Sequence, residues 1–119
     1  MTEPNHLVTT EGGIARVVLN RPDVHNALDD ALIGDLLISL EKIAADRAVR
    51  LVLLSGQGAS FCAGGDLNWM RRTADYTYEQ NLEDAMNLAR LLHTLNTLPQ
   101  PTVALVNGPA YGGGVGLVA

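Results

Sequence analysis

The spacing of apolar and polar positions changes several times along the chain, and each change marks an element. "HLVTT" and "IARVVLN", between His6 and Asn20, flank the turn-forming triplet Glu11-Gly12-Gly13, which predicts a β-hairpin. "RPDVHNAL" follows as an irregular link, because Pro22 stops the strand. Leu32, Leu36, Leu40 and Ile43 recur on one helical face and predict a helix from Asp29, with Asp29 and Asp30 suiting its positive end. Gly34 in its middle weakens that pattern. In "RLVLLS" the apolar run 51–54, bounded by Gly56 and Gly58, predicts a strand covered on both faces, as in a parallel sheet. Thr77-Tyr78-Glu79-Gln80 has the form of a capping box. It opens a helix with Leu82, Ala85, Ala89 and Leu92 along one side, ending before Pro99 and Pro101. "TVALV" at 102–106 predicts a second buried strand, and "NGPAYGGGVGLVA" a glycine turn and a helix start.

Helices alternating with buried strands predict an α/β fold of right-handed βαβ units. Ligands in such sheets collect at the carboxyl ends of the strands. Two glycine clusters, Gly64-Gly65 and Gly112-Gly113-Gly114, each follow a predicted strand. The chain closes at Ala119 within the first turn of an apolar helix, so it is expected to be the front part of a longer fold.

Composition narrows the classes. The chain has 119 residues, 47% apolar and 18% charged, the balance of one globular domain. A net charge of −5 argues against a general nucleic-acid binder but leaves room for an anionic small ligand. Cys62 is the single cysteine and has no intramolecular disulfide partner, which fits a reducing cytoplasm. Polar residues Thr2 to His6 follow Met1 without the pattern of a signal peptide, and no apolar run reaches membrane-span length. A cytoplasmic protein without a membrane partner is expected.

The glycines carry the candidate chemistry. Leu117 stands where the dinucleotide fingerprint needs glycine, and no Gly-Lys-Ser/Thr completes a phosphate loop. For one cluster alone, close helix-to-strand packing is the ordinary explanation. Two clusters after parallel strands suggest more, since one backbone N–H from each can converge on a single oxygen and stabilise an oxyanion. Backbone donors need room rather than a side chain, which accounts for the small residues at 62–65.

"FCAGGDLNWM" with "NGPAYGGGVGL", preceded by "LNRPDVHNAL", resembles the crotonase family of enoyl-CoA hydratases and isomerases, in order and spacing along essentially the whole chain. The resemblance implies a crotonase-like spiral of ββα repeats, with residues 1–119 as the N-terminal portion of one domain, cut before its C-terminal helical region. It implies an acyl-CoA thioester as substrate, coenzyme A as part of that substrate with no separate cofactor, and assembly as a homotrimer or homohexamer. It further implies that the N–H groups of Gly65 and Gly113 form the oxyanion hole. Val24, His25 and Ala27 match the segment lining the CoA site, and Ala63, Asp66 and Leu67 match the loop meeting its adenine and pantetheine portions.

The family's best-known hydratases carry a glutamate in the pattern G-G-x-x-E, where this chain has Gly116. A second glutamate of that family falls past Ala119, so no general acid or base is recognisable here. Asp66 is the nearest carboxylate, with a structural role implied. "DLNWM" and "AYGGGVGLVA" resemble hydratases of 3-methylglutaconyl-CoA and isohexenylglutaconyl-CoA, for which Gly116 would leave space for a branched or carboxylated acyl group. An enoyl-CoA isomerase or a hydrolase of the same fold, or a non-catalytic segment binding CoA thioesters, are the alternatives. His6, His25 and His93 show no metal-ligand spacing. Cys62 reads as a packing residue, and Trp69 and Met70 as core or lid. Arg71 and Arg72 read as a solvated face; with Arg47 or Arg50 they are the available cations for CoA phosphates.

Overall fold

The computed structural model describes residues 3–119. The hairpin forms as β1 (His6–Glu11) and β2 (Ile14–Leu19), antiparallel, turning through Gly12 and Gly13 at positive φ. β3 (Leu51–Gly56) and β4 (Thr102–Ala104) add in parallel, giving one sheet in the order β1-β2-β3-β4. Ile14 pairs with Leu51 and Leu19 with Gly56, so β2 and β3 end level with each other. Met1 and Thr2, the start of the stretch that lacks a signal-peptide pattern, lie outside the described residues.

Helix α1 (Asp30–Ala45) starts one residue after the predicted Asp29, which is its N-cap rather than part of its first turn and accepts from the Leu32 N–H at 2.8 Å. Leu32, Leu36, Leu40 and Ile43 are all buried, with Ile33 beside them. The Gln100 amide donates to the Ile43 carbonyl at 2.8 Å, tying the end of α1 to the chain entering β4. Helix α3 (Tyr78–Asn96) opens with a complete capping box, Thr77 and Gln80 exchanging bonds of 2.9 and 3.2 Å.

The buried face of α3 differs from the predicted one. Of the predicted positions, Leu92 packs against the core but Leu82, Ala85 and Ala89 are exposed, while Leu91 and Leu95 are buried and Leu88 packs beside them. Both stripes are apolar, but the leucine-rich one removes more apolar area from water. A fully buried leucine is worth roughly 1.5–3 kcal/mol, well above an alanine. The two strands also depart from expectation. In β3, Val52 and Leu54 are buried and Leu51 and Leu53 only half so. The "TVALV" strand is shorter than 102–106 and not buried, with Val103, Leu105 and Val106 exposed. β4 is the last strand of the sheet and, among the described residues, pairs as a strand only with β3, so its outer side stays open there.

Helix α2 (Leu67–Thr73) was not predicted, although its signals are local: Asp66 caps it, accepting from the Trp69 N–H at 3.0 Å, and Arg71 and Arg72 sit in its last turn. Helix α4 (Gly113–Val118) follows the glycine turn. Among the described residues, no helix is long and apolar enough to cross a membrane.

Candidate active site

Three loops leave the carboxyl ends of β2, β3 and β4 and bond to one another by short parallel bridges, Leu28 with Gly65 and Cys62 with Ala110. The first loop is held by Asn26, which is fully buried at φ 56°, a conformation that asparagine tolerates. Its side chain accepts from the Arg21 N–H at 2.7 Å and donates to the carbonyls of Gln57 and Ser60 at 2.9 and 3.0 Å. Sequence reasoning missed this residue; an asparagine in an irregular link between strand and helix was the available signal. His25 also has positive φ, and its Nδ1 lies 2.9 Å from the Ser60 hydroxyl.

The second and third loops meet backbone to backbone. Gly64 has φ 89°, and a Cβ there would stand 2.8 Å from the Tyr111 carbonyl oxygen. A Cβ on Gly114 would run into the Cys62 carbonyl, and one on Gly108 into that of Ala59. Part of the small-residue run is therefore explained by packing alone. Gly65 and Gly113 are different. The loop bonds use the N–H groups of Ala63, Asp66, Gly114 and Val115, and leave those of Gly65 and Gly113 without a partner among the described residues. A Cβ on Gly65 would meet only the flexible Met70 side chain, at 3.2 Å, and one on Gly113 the Leu28 side chain, at 3.0 Å.

A cavity of about 500 Å³ opens beside Gly65. Val24, His25, Ala27, Ala63, Gly65, Asp66 and Leu67 all line it, joined by Asn68 and Arg71 from α2. Gly113 and Gly116 do not. Gly113 faces Leu28, and Gly116 lines a separate cavity of about 150 Å³ between α3 and α4, opposite Leu92. Of the four arginines considered as phosphate cations, only Arg71 reaches the larger cavity. Arg72 pairs with Asp30 at 3.1 Å, and Arg47 and Arg50 line another cavity near Pro101, where the strands begin.

Asp66 is buried, caps α2, and pairs with Arg21 at 3.0 Å. Burial opposes its charge, but the Trp69 N–H, the Arg21 guanidinium and the Asn68 N–H outweigh that and lower its pKa below the usual aspartate value. These bonds tie Asp66 to α2 and to Arg21. A carboxyl group lowered on folding contributes stability that is present above its unfolded pKa and lost as pH falls through the folded one. Asp66→Asn is therefore expected to cost about 2 kcal/mol at neutral pH. The gap should shrink below pH ~4; urea unfolding of both proteins at neutral and acid pH checks it, and a pH-independent gap would contradict the assignment. Burial pushes the Cys62 thiol up, partly offset by the Gly64 N–H, as suits an inert packing residue.

This chain carries the bridged loops and the cavity beside Gly65 on a crotonase fold. The chain belongs to the enoyl-CoA hydratase/isomerase family, whose model matches residues 9–119. An enoyl-CoA hydratase from Shewanella pealeana superposes with a TM-score of 0.93 at 44% identity, over 96% of this chain and 43% of that one. A Legionella pneumophila protein, provisionally described as an enoyl-CoA hydratase/isomerase (crotonase), gives a TM-score of 0.91 at 38% identity, over 95% of this chain and 44% of that one. A Thermus thermophilus protein, provisionally described as an enoyl-CoA hydratase, is 43% identical over 107 residues, 90% of this chain and 42% of its own. The chain thus spans less than half the length of these relatives.

Proposed function

We propose that the full-length protein is an enoyl-CoA hydratase that adds water across the α,β double bond of an acyl-CoA thioester. The observation that carries this reading is the pair of N–H groups, Gly65 and Gly113, without a partner among the described residues, on two loops locked together, the first of which lines the cavity. Coenzyme A enters as part of the substrate and lies along the cavity lined by Val24, His25, Ala27, Ala63, Asp66 and Leu67. Water oxygen adds at Cβ, and the electron pair of the double bond moves onto the thioester oxygen. The two N–H groups hold the resulting enolate until Cα takes up a proton. With Gly116 in the position of the family glutamate, the acid and base that handle these protons come from outside residues 3–119.

The acyl group in this reading is branched or carboxylated, of the 3-methylglutaconyl type; the resemblance of "DLNWM" and "AYGGGVGLVA", with glycine rather than glutamate at position 116, supports it. The exposed Val103, Leu105 and Val106 support assembly with further chain or subunits, as a trimer or hexamer. The buried single thiol supports a cytoplasmic setting. The test is kcat/KM of the full-length protein for 3-methylglutaconyl-CoA and for crotonyl-CoA. Hydration of both, with about a tenfold preference for the former, is expected. A strong preference for crotonyl-CoA overturns the branched substrate, and hydration of neither overturns the hydratase. Isomerase or hydrolase activity would reuse the same hole, and product analysis in the same assay separates them.

A further inference from the structure

We propose that Arg21 is a positioning residue for the oxyanion hole, aligning and polarising the Gly65 N–H through two peptide groups in series. The proposal rests on the hydratase reading above. Arg21 Nη1 donates to the Ala27 carbonyl. The N–H across that same peptide plane belongs to Leu28, and it donates to the Gly64 carbonyl at 2.6 Å. The N–H across the Gly64 peptide plane is that of Gly65. A trans peptide is planar with C=O and N–H opposed, so fixing each carbonyl fixes the direction of the N–H beyond it. The chain of bonds therefore runs from a guanidinium cation to the free donor, and each bond polarises the next.

The guanidinium is itself held. Its Nη2 lies 3.0 Å from Asp66 Oδ2 and 3.4 Å from Asp29 Oδ2, the N-cap residues of α2 and α1. Asp66 N–H donates to the Leu28 carbonyl at 2.8 Å, so the Leu28–Gly65 bridge is pinned on both sides. Arginine suits this place because its planar fork serves a carbonyl and two carboxylates at once, which a lysine ammonium on a flexible stem does not. The cavity-lining part of the first loop has a separate anchor in Asn26, so loss of the guanidinium should disturb the oxyanion donor more than the grip on coenzyme A.

Arg21→Met and Arg21→Lys in the full-length protein test this, the lysine variant covering the case in which methionine does not fold. Both are expected to lower kcat about tenfold to a hundredfold with KM within about threefold, since a small misplacement of a catalytic donor has that scale. The infrared band of the thioester carbonyl of bound butyryl-CoA is expected to shift down in the wild type and to move back toward its free position in both variants. A merely structural arginine would leave that band unmoved in a folded variant, and this result overturns the proposal. In ligand-free protein, the Leu28 amide should lose hydrogen-exchange protection while those of β2 and β3 keep theirs; unchanged Leu28 protection also overturns it. Failure of the wild type to bind butyryl-CoA overturns the hydratase reading instead, and the Leu28 amide then still decides whether Arg21 holds the relay.

Discussion

Gly113→Pro is expected to lower kcat of the full-length protein for crotonyl-CoA about 10²–10³-fold, the usual cost of removing one oxyanion donor. The helix backbone tolerates the substitution at this position, although the ring Cδ also takes the place of the amide hydrogen. Gly113 is the first residue of α4, where proline's fixed φ fits the helix and the N–H it lacks has no helical partner to lose. The added Cβ does approach Leu28, at 3.0 Å, so Gly113→Ala is the control: it carries the same Cβ and keeps the N–H. Alanine should cost less than about tenfold, since the Leu28 side chain needs to give by only a few tenths of an ångström. The affinity for acetoacetyl-CoA, measured by calorimetry, should fall with the proline and hold with the alanine. Proline and alanine variants of equal activity would remove Gly113 from the hole.

Gly114→Ala is expected to damage the fold rather than the chemistry, by about 3 kcal/mol or more. Its Cβ would enter the space of the Cys62 carbonyl oxygen and also stand 3.0 Å from the Cys62 side chain. That carbonyl is not free to turn away, because it accepts from the Tyr111 N–H at 2.9 Å and forms the bridge that joins the second and third loops. Gly116→Ala, only two positions on, meets nothing nearer than the two Leu92 methyl carbons at 3.4 Å. It should change stability by no more than about 1 kcal/mol, with the gain in helix propensity offsetting the tighter contact. Urea unfolding of the two variants side by side measures the difference, and similar stabilities would contradict the close packing of these loops.

These neighbouring glycines show how far the chain could be read without its structure. Gly64, Gly65, Gly113 and Gly114 stood out together, and the resemblance to the family selected Gly65 and Gly113 for catalysis. That Gly64 and Gly114 serve contact between loops, while the other two keep free N–H groups, depends on where Tyr111 and Cys62 come to lie. The cavity-lining residues from Val24 to Leu67 were named in advance and gather in one place, but Gly116 falls in a different cavity and Arg47 and Arg50 near the start of the strands. Asn26 and Arg21 were passed over because nothing in their own neighbourhoods marks them as more than turn and strand-end residues.

By itself the sequence determined the hairpin, the capping box at Thr77, the core stripe of α1, the succession of parallel strands and the family. Each of these is written in residues within a few positions of one another, or in motifs that keep their order along the chain. Tertiary structure alone decided which stripe of α3 is buried, that β4 stays exposed, and how Arg21 meets Asp66 across 45 residues. The physical reason is the same throughout. Hydrogen-bond caps and hydrophobic periodicity act within a turn or two of chain, whereas the burial of one apolar face over another, and the direction of a peptide N–H in a loop, are set by groups that only folding brings into contact.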